Sequence, residues 1–238
     1  MSMMNLRSLF ARAALMAGVA SLAACGGGGG DSPAPAPAPQ VVGSPNPKPT
    51  APTTACSAAG IAAAKLTTNA AVCMLTSDGE IVFELRADKA PVSVANFLKY
   101  VKDGFYTNTI FHRVSKVTGV QVVQGGGFAT GTVAKAATYP AIVLESENGL
   151  KNVRGSLAMA RTDVADSATS QFYINTADNS GTLDFKATTP ATKNGYAVYG
   201  SVISGIDTID KIYAEPVLNA AREVPAVEVL IYWAQQIQ

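Results

Sequence analysis

A mainly β domain, built as an antiparallel barrel or sandwich with two attached helices, is the fold class that this sequence predicts. Short apolar runs follow one another downstream of residue 70, without the regular strand–helix alternation of a parallel sheet. Only two segments have the three-and-four spacing of an amphipathic helix. The chain has 238 residues, which suffices for one domain of ordinary size but scarcely for two.

A hairpin and a helix open the predicted domain. Alternating apolar residues after the turn at 77–79 indicate the second strand of the hairpin: Ile81, Phe83 and Leu85. The helix is indicated by apolar residues three and four positions apart: Val94, Phe97, Leu98 and Val101. Pro91 lies near its first turn and Gly104 follows its end, as helix boundaries favour.

The remaining strands are predicted from short apolar runs: 109–114, 120–123, 156–160, 171–175, 197–203 and 227–233. Between the last two, Ile206, Ile209 and Ile212 have helical spacing and predict a second helix, which ends near Pro216. Periodicity alone does not say whether the sheet closes into a barrel.

Composition excludes several classes of function. Eighteen Lys and Arg against seventeen Asp and Glu give a formal net charge of +1, so the basic surface of a nucleic-acid-binding protein is absent and no nucleic-acid partner is predicted. One histidine, His112, and three cysteines cannot supply a multi-histidine zinc site or two cysteine pairs. No metal site is therefore predicted.

Common nucleotide and hydrolase motifs are also absent. The glycines at 125–127 resemble part of a dinucleotide fingerprint, but its last glycine is missing and no helical pattern follows. Thr132 stands where a phosphate-binding loop needs lysine, so a glycine-rich bend is the better interpretation. There is no Gly-x-Ser-x-Gly motif, and a hydrolase that uses His112 is left as a remote alternative.

Residues 1–24 have the pattern of a signal peptide. Arg7 and Arg12 precede the apolar run 13–20, which is shorter than the roughly 20 residues of a membrane-spanning helix. The small residues before Cys25 resemble the lipobox of bacterial lipoproteins, in which the cysteine receives a diacylglycerol and the preceding peptide is cleaved. Ordinary signal cleavage near a free Cys25 is the alternative.

The expected location is the bacterial envelope. Gly26, rather than Asp, follows the predicted lipidation site and resembles an outer-membrane sorting signal. We therefore expect an exported protein, attached to the outer membrane through a lipid anchor and facing the periplasm.

A disordered linker is predicted over residues 25–67, before a domain at 68–238. Five glycines follow Cys25, and eight of the thirteen prolines lie in this stretch, which holds little aliphatic bulk to bury. Cys56 and Cys73 remain after Cys25 is assigned to lipidation. They are expected to pair in an oxidising compartment, with two buried free thiols as the alternative.

One predicted strand carries unusual polar residues. Strand alternation expects Phe111 and Arg113 on one face, with His112 and Val114 on the other. An arginine on an apolar strand needs a compensating partner, since burial of its charge without one is costly. A surface salt bridge is the simplest explanation. For His112 a structural hydrogen bond in the core is the favoured interpretation.

Six segments in a fixed order resemble the cyclophilin family of peptidyl-prolyl cis-trans isomerases, in its bacterial exported branch. They are residues 90–97, 109–114, 124–128, 154–161, 167–174 and 195–200. The resemblance spans about Val72 to Trp233. It implies an eight-stranded closed antiparallel barrel capped by two α-helices, and catalysis of rotation about X-Pro bonds in exported proteins.

The resemblance also implies the site. Arg113 would donate a hydrogen bond to the prolyl nitrogen, and Gln124 would orient Arg113 and bind the peptide backbone, so both are predicted to be catalytic. Substrate-binding roles fall on eight other residues: Phe111, Val122, Ala160, Arg161, Gln171, Tyr173, Leu183 and Tyr196. No cofactor is implied. The expected partners are proline-containing segments of unfolded or exported proteins, and the protein is expected to be a monomer.

The chain departs from the family pattern at one wall of the pocket. Gln121-Val122 stands where the family has Phe-Met, and extra residues separate Val114 from Gln124. Tyr173 replaces a phenylalanine and adds a hydroxyl. The altered wall keeps a second function open, a membrane-tethered cyclophilin-like peptide-binding module or holdase with little catalysis.

Overall fold

Nine strands and four helices make up the described part of the chain in the computed structural model, which covers residues 42–191, 193–218 and 223–238. The strands are β1 (Ala70–Thr76), β2 (Gly79–Leu85), β3 (Thr109–Ser115), β4 (Val122–Ala129), β5 (Val133–Ala134), β6 (Ser156–Met159), β7 (Phe172–Asn175), β8 (Val198–Ser204) and β9 (Val229–Gln236). The helices are α1 (Ala58–Ala64), α2 (Pro91–Lys102), α3 (Ser180–Leu183) and α4 (Ile206–Ala214). The predicted signal peptide, Cys25 and the first part of the predicted linker lie outside the described residues. None of the helices described is both long and apolar enough to cross a membrane.

Eight of the strands close into an antiparallel barrel. Their order around the ring is β3-β9-β1-β2-β8-β6-β7-β4, and β4 pairs with β3 to complete it. The two residues of β5 pair with β4 at the margin of this ring. The predicted closed barrel is therefore confirmed, because β3 pairs with β4 on one side and with β9 on the other.

The barrel interior is filled by aromatic and aliphatic side chains. Phe172 packs its ring edge-on against Phe97 and Phe111, with ring centroids 5.8 Å apart in both pairs. Phe97 comes from α2, which also turns Val94, Tyr100 and Val101 toward this core. Such buried aromatic pairs supply large apolar area together with a favoured ring geometry.

Helix α2 begins and ends where its sequence predicts. Pro91 occupies the first turn, where its missing N–H has no helical partner to lose. The carboxylate of Glu145 accepts hydrogen bonds from the free N–H groups of Val92 and Ser93, at 3.1 and 2.7 Å. After its last turn, Gly104 adopts the left-handed φ of +65° that favours glycine.

A strap, residues 42–56, lies along β9. Trp233 Nε1 donates to the main-chain oxygen of Thr53 at 2.7 Å, Gln235 Nε2 donates to that of Thr54 at 2.9 Å, and the Tyr232 hydroxyl donates to that of Lys48. The strap is proline-rich. The carbonyl groups of Lys48, Thr53 and Thr54 accept these hydrogen bonds, and Ala51 packs against the apolar cluster that contains Trp233. The predicted boundary at residue 68 stays a prediction, although Ser44 already pairs with the segment that leads into β9.

A disulfide joins the end of the strap to the barrel. Cys56 bonds to Cys73, a buried residue of β1. Helix α1 follows at once, capped by Ser57, whose hydroxyl accepts from the N–H of Gly60 at 3.0 Å. The bond therefore fixes the strap to a strand that is paired on both sides within the ring.

Candidate active site

A chain of hydrogen bonds runs at the barrel surface from β3 across β4 to the residue that precedes β7. Arg113 on β3 donates from Nη1 to Oε1 of Gln124 at 3.2 Å. Gln124, directly opposite on β4, donates from Nε2 to Oε1 of Gln171 at 2.9 Å. All three side chains are partly exposed. The structure thus brings together both predicted catalytic residues and one predicted peptide-binding residue.

The strict alternation predicted for β3 is wrong. Phe111 and Val114 both pack in the main core, because the register with β4 shifts between Phe111 and Arg113. Phe111 is completely buried, so the structure places it beneath the site rather than on its surface. Because of the shift, the Arg113 side chain lies outside the core, although Phe111 and Val114 lie within it.

Glycines in β4 allow this strand to approach the residue-171 segment closely. Gly126 has a φ of +83°, and a Cβ there would lie 2.7 Å from the carbonyl oxygen of Ser170. A Cβ on Gly127 would lie 2.5 Å from Cδ of Gln171. These residues lie inside β4 rather than in the predicted bend, and their missing side chains leave room for Gln171 beside Gln124.

An aromatic group lies next to this hydrogen-bond chain in the fold. The rings of Tyr173 and Tyr196 meet edge-on with centroids 5.8 Å apart, and the guanidinium of Arg161 lies 4.7 Å from the centre of the Tyr196 ring. Leu183 is buried and accepts a main-chain hydrogen bond from Tyr196 at 2.9 Å. Burial raises the pKa of the Tyr173 hydroxyl well above its usual range, so this group stays neutral.

Two smaller predicted residues complete the set. The N–H of Ala160 donates to the main-chain oxygen of Gln171 at 3.0 Å, which joins the end of β6 to the start of β7. Val122 is buried at the start of β4, two residues before Gln124. Apart from Phe111, the predicted substrate-binding residues therefore lie on β4, β7 and α3, in the segment between β6 and β7, and just before β8.

Gln121, at the altered wall, is held by α4. Its Nε2 donates to the hydroxyl of Tyr213 at 3.0 Å, and its N–H donates to Oδ1 of Asn179 at 3.0 Å. The loop before it is also tied to the end of α4, where Lys116 Nζ donates to the main-chain oxygen of Glu215 at 3.0 Å. The extra residues between β3 and β4 thus pack against α4.

His112 is a neutral core residue beside the site. It is buried against the ring of Phe128, with ring centroids 4.4 Å apart. Burial, together with the positive charge of Arg113, lowers the pKa of His112 to about 3. Its Nδ1 has no hydrogen-bond partner among the described residues, while a hydrogen bond to the main chain of Ile110 partly offsets the lowering of the pKa.

Sequence reasoning missed Glu223 as a partner of Arg113. Its Oε2 accepts a hydrogen bond from Arg113 Nε at 2.6 Å across 110 positions of sequence. Nothing in the pattern around Glu223 separates it from an ordinary loop carboxylate, and only the fold brings the two together. The salt-bridge interpretation of Arg113 is thus correct in part, although the pair is half-buried rather than fully exposed.

Comparison with known proteins agrees with this architecture. Residues 71–234 match the family described as cyclophilin type peptidyl-prolyl cis-trans isomerase/CLD. The chain is 45% identical over 178 residues to peptidyl-prolyl cis-trans isomerase A of Dickeya dadantii, covering 72% of this chain and 87% of that protein. It is 46% identical over 158 residues to peptidyl-prolyl cis-trans isomerase B of Escherichia coli, covering 66% and 93%.

Solved structures give the same relationship. A crystal structure of a cyclophilin type peptidyl-prolyl cis-trans isomerase from Cryptosporidium parvum has a TM-score of 0.56 and 26% identity, covering 70% of this chain and 96% of that one. That protein has also been crystallised in the presence of the dipeptide Ala-Pro. By its barrel, its family match and these relatives, the chain belongs to the cyclophilin family and is a peptidyl-prolyl cis-trans isomerase.

Proposed function

We propose that Arg113 is the catalytic residue of this isomerase. Amide resonance holds an X-Pro bond behind a barrier of roughly 18–20 kcal/mol. A hydrogen bond to the prolyl nitrogen becomes available only as the bond twists and its lone pair leaves resonance, so it stabilises the transition state more than either planar state. The guanidinium suits this task because it is always charged and offers several fixed donors.

The hydrogen bonds of Arg113 carry this assignment. Its Nε is bonded to Glu223 and its Nη1 to Gln124, whereas Nη2 has no hydrogen-bond partner among the described residues. The side chain is 27% exposed, so a bound peptide can reach that group. The two occupied nitrogens hold the plane of the guanidinium while Nη2 remains available to the substrate.

Gln124 is proposed to orient Arg113 and to bind the peptide backbone. Its Oε1 accepts from Arg113 and its Nε2 donates to Gln171, so the amide has one orientation within the hydrogen-bond chain. We assign the prolyl ring to the group formed by Tyr173, Leu183 and Tyr196. Arg161, whose Nε donates to the main-chain oxygen of Gly195 at 2.9 Å, is proposed to contact the peptide through its main chain.

The decisive experiment measures isomerisation of an Ala-Pro peptide by NMR exchange spectroscopy. Arg113→Ala is expected to lower the catalysed rate at least about tenfold, or about 1.4 kcal/mol of barrier. Arg86→Ala is the matched control, because Arg86 also pairs with a carboxylate, Asp88, but follows β2 on the far side of the ring. Equal activity of the Arg113 variant and the wild type would refute the assignment.

The altered wall at Gln121 favours a second candidate, the tethered binding module or holdase. A folded wild type that fails to catalyse isomerisation but suppresses aggregation of an unfolded client would favour this candidate. Arg113→Ala would then leave the suppression unchanged. Catalysis of isomerisation by the wild type would favour the enzyme over the binding module.

We further propose that the protein is exported, lipid-anchored and monomeric, and that it assists the folding of exported proteins. The signal pattern before Cys25 supports export, and so does the Cys56–Cys73 disulfide, since such bonds persist in oxidising compartments. Membrane fractionation of the wild type and Cys25→Ser tests the anchor. The wild type is expected with the outer membrane, and the variant in the soluble fraction. Light scattering tests whether the protein is a monomer in solution.

A further inference from the structure

Glu223 binds three consecutive residues of β3. Its Oε2 accepts from Arg113 Nε at 2.6 Å, its Oε1 accepts from the Ser115 hydroxyl at 2.6 Å, and its main-chain oxygen accepts from the N–H of Val114 at 2.7 Å. Both carboxylate oxygens and the carbonyl oxygen are thus directed at one strand. Glu223 therefore fixes the part of β3 that carries Arg113, and we call these three hydrogen bonds the clamp.

The clamp has an energetic cost. Glu223 is 9% exposed, and a buried carboxylate is unfavourable unless its oxygens are paired. Its φ of +56° lies in the left-handed region, which costs a residue with a Cβ about 1 kcal/mol or more. A buried charge on a strained backbone persists only where the surrounding contacts compensate, and such positions cluster at functional sites.

For Arg113, the clamp determines the orientation of the guanidinium. Glu223 holds Nε from one side, and Gln124 holds Nη1 from another. Two hydrogen bonds to different nitrogens of one planar group fix both its plane and its rotation. A long arginine side chain with only one such bond would sample several rotamers, and misplacement by about 1 Å can cost about a hundredfold in rate.

We propose that Glu223 is a positioning residue for isomerisation, which acts by fixing the Arg113 guanidinium in the orientation that presents Nη2 to the prolyl nitrogen. The proposal rests on the catalytic role proposed for Arg113. Glu223 itself touches no substrate in this account, because both of its carboxylate oxygens are occupied by β3. Its removal should therefore lower kcat and leave the KM for the peptide nearly unchanged.

The test is a double-mutant cycle on catalysis of an Ala-Pro peptide by the full protein. Glu223→Gln is expected to lower kcat about tenfold with KM within about twofold. In an Arg113→Ala background the same substitution should cause no further loss, because the group that Glu223 positions is gone. Asp88→Asn is the matched control, since it removes the carboxylate partner of Arg86 outside the site.

Other outcomes separate this inference from the proposed function. If Arg113→Ala abolishes catalysis but Glu223→Gln has wild-type kcat, or if the two losses add, the positioning role is refuted and the catalytic role of Arg113 stands. If Arg113→Ala is fully active, the catalytic role fails first.

A measurement on the wild type covers a Glu223 variant that does not fold. Nitrogen-15 NMR should show the Arg113 Nε–H protected from exchange with water by its carboxylate partner. Rapid exchange of that proton, at the rate of a free arginine, would overturn the proposal.

Discussion

The hydroxyl of Tyr173 donates a hydrogen bond to Oδ1 of Asn152 at 2.7 Å, and both side chains are buried. Asn152 in turn donates from its N–H and from Nδ2 to Oδ1 of Asp184, at 2.8 and 3.0 Å. Asp184 directly follows Leu183. The hydroxyl that distinguishes Tyr173 from the phenylalanine of the family pattern thus ties the aromatic group to the segment after α3.

Tyr173→Phe should lower stability and spare catalysis. The ring remains, but a buried hydrogen bond is lost, so we expect the free energy of unfolding to fall by about 1 kcal/mol in urea titrations. Tyr213→Phe is the control, because the Tyr213 hydroxyl bonds the partly exposed Gln121 and should matter less. Unchanged stability, or a large loss of activity, would contradict this role for the hydroxyl.

Gln121→Phe should strengthen peptide binding. The substitution gives up the hydrogen bond to Tyr213 but restores an aromatic wall where the family has one, and a ring buried against the prolyl group contributes apolar contact. A KM several-fold lower for an Ala-Pro peptide is the expected result. Tyr213→Phe removes the same hydrogen bond without adding a ring, and it should leave KM unchanged. Equal KM values in all three proteins would mean that another group supplies the wall.

His112 should make the protein less stable as the pH falls. Its pKa in the folded state is about 3, against 6.5 for an ordinary histidine, so below pH 6.5 the unfolded chain binds a proton that the folded chain does not. Stability is complete above about pH 6.5 and is lost progressively toward pH 3. At pH 5 this group alone should cost about 2 kcal/mol.

The pH effect can be isolated because the chain has one histidine. Urea titrations of the wild type and His112→Gln at pH 7.5 and pH 5 should show a smaller pH difference in the variant. In proton NMR, the imidazole signal of the folded protein should not titrate between pH 8 and pH 4.5. An imidazole that titrates near pH 6.5 would mean that His112 is accessible to water.

Reduction of the Cys56–Cys73 disulfide should weaken the protein without opening the barrel. The bond closes a loop with a sequence separation of 17, and a loop of that size corresponds to about 3 kcal/mol in the unfolded chain. The midpoint of urea unfolding should therefore fall when a reductant is added. The variant Cys56→Ala/Cys73→Val should already have the lower midpoint and should not respond. A reductant effect of equal size in that variant would show that the loss has another origin.

Local signals predict the two long helices and the first hairpin well. Proline, glycine and apolar spacing mark α2 at both ends, and Ile206, Ile209 and Ile212 mark α4, because each signal acts within a few residues. Barrel closure is different. It depends on β9 lying between β3 and β1, a pairing of distant segments that no local pattern encodes.

The candidate site follows the same division. Arg113, Gln124 and Gln171 are indicated by their motifs, and the structure brings them together. Alternation places Phe111 and Arg113 on one face because it assumes a regular register, which the shift before Arg113 breaks. Glu223 was missed because its role exists only through a contact made across the fold.

The disulfide also limits how much of the domain unfolds when force is applied at its N-terminal end. Tension applied upstream of the strap would break its hydrogen bonds to β9 one after another, and this peeling would stop at Cys56. Beyond that point the load passes through a covalent bond into β1, a strand paired on both sides within the ring. The barrel would then have to shear two strand pairings at once, so the first mechanical event in a tethered molecule would be loss of the strap, with the site strands still in place.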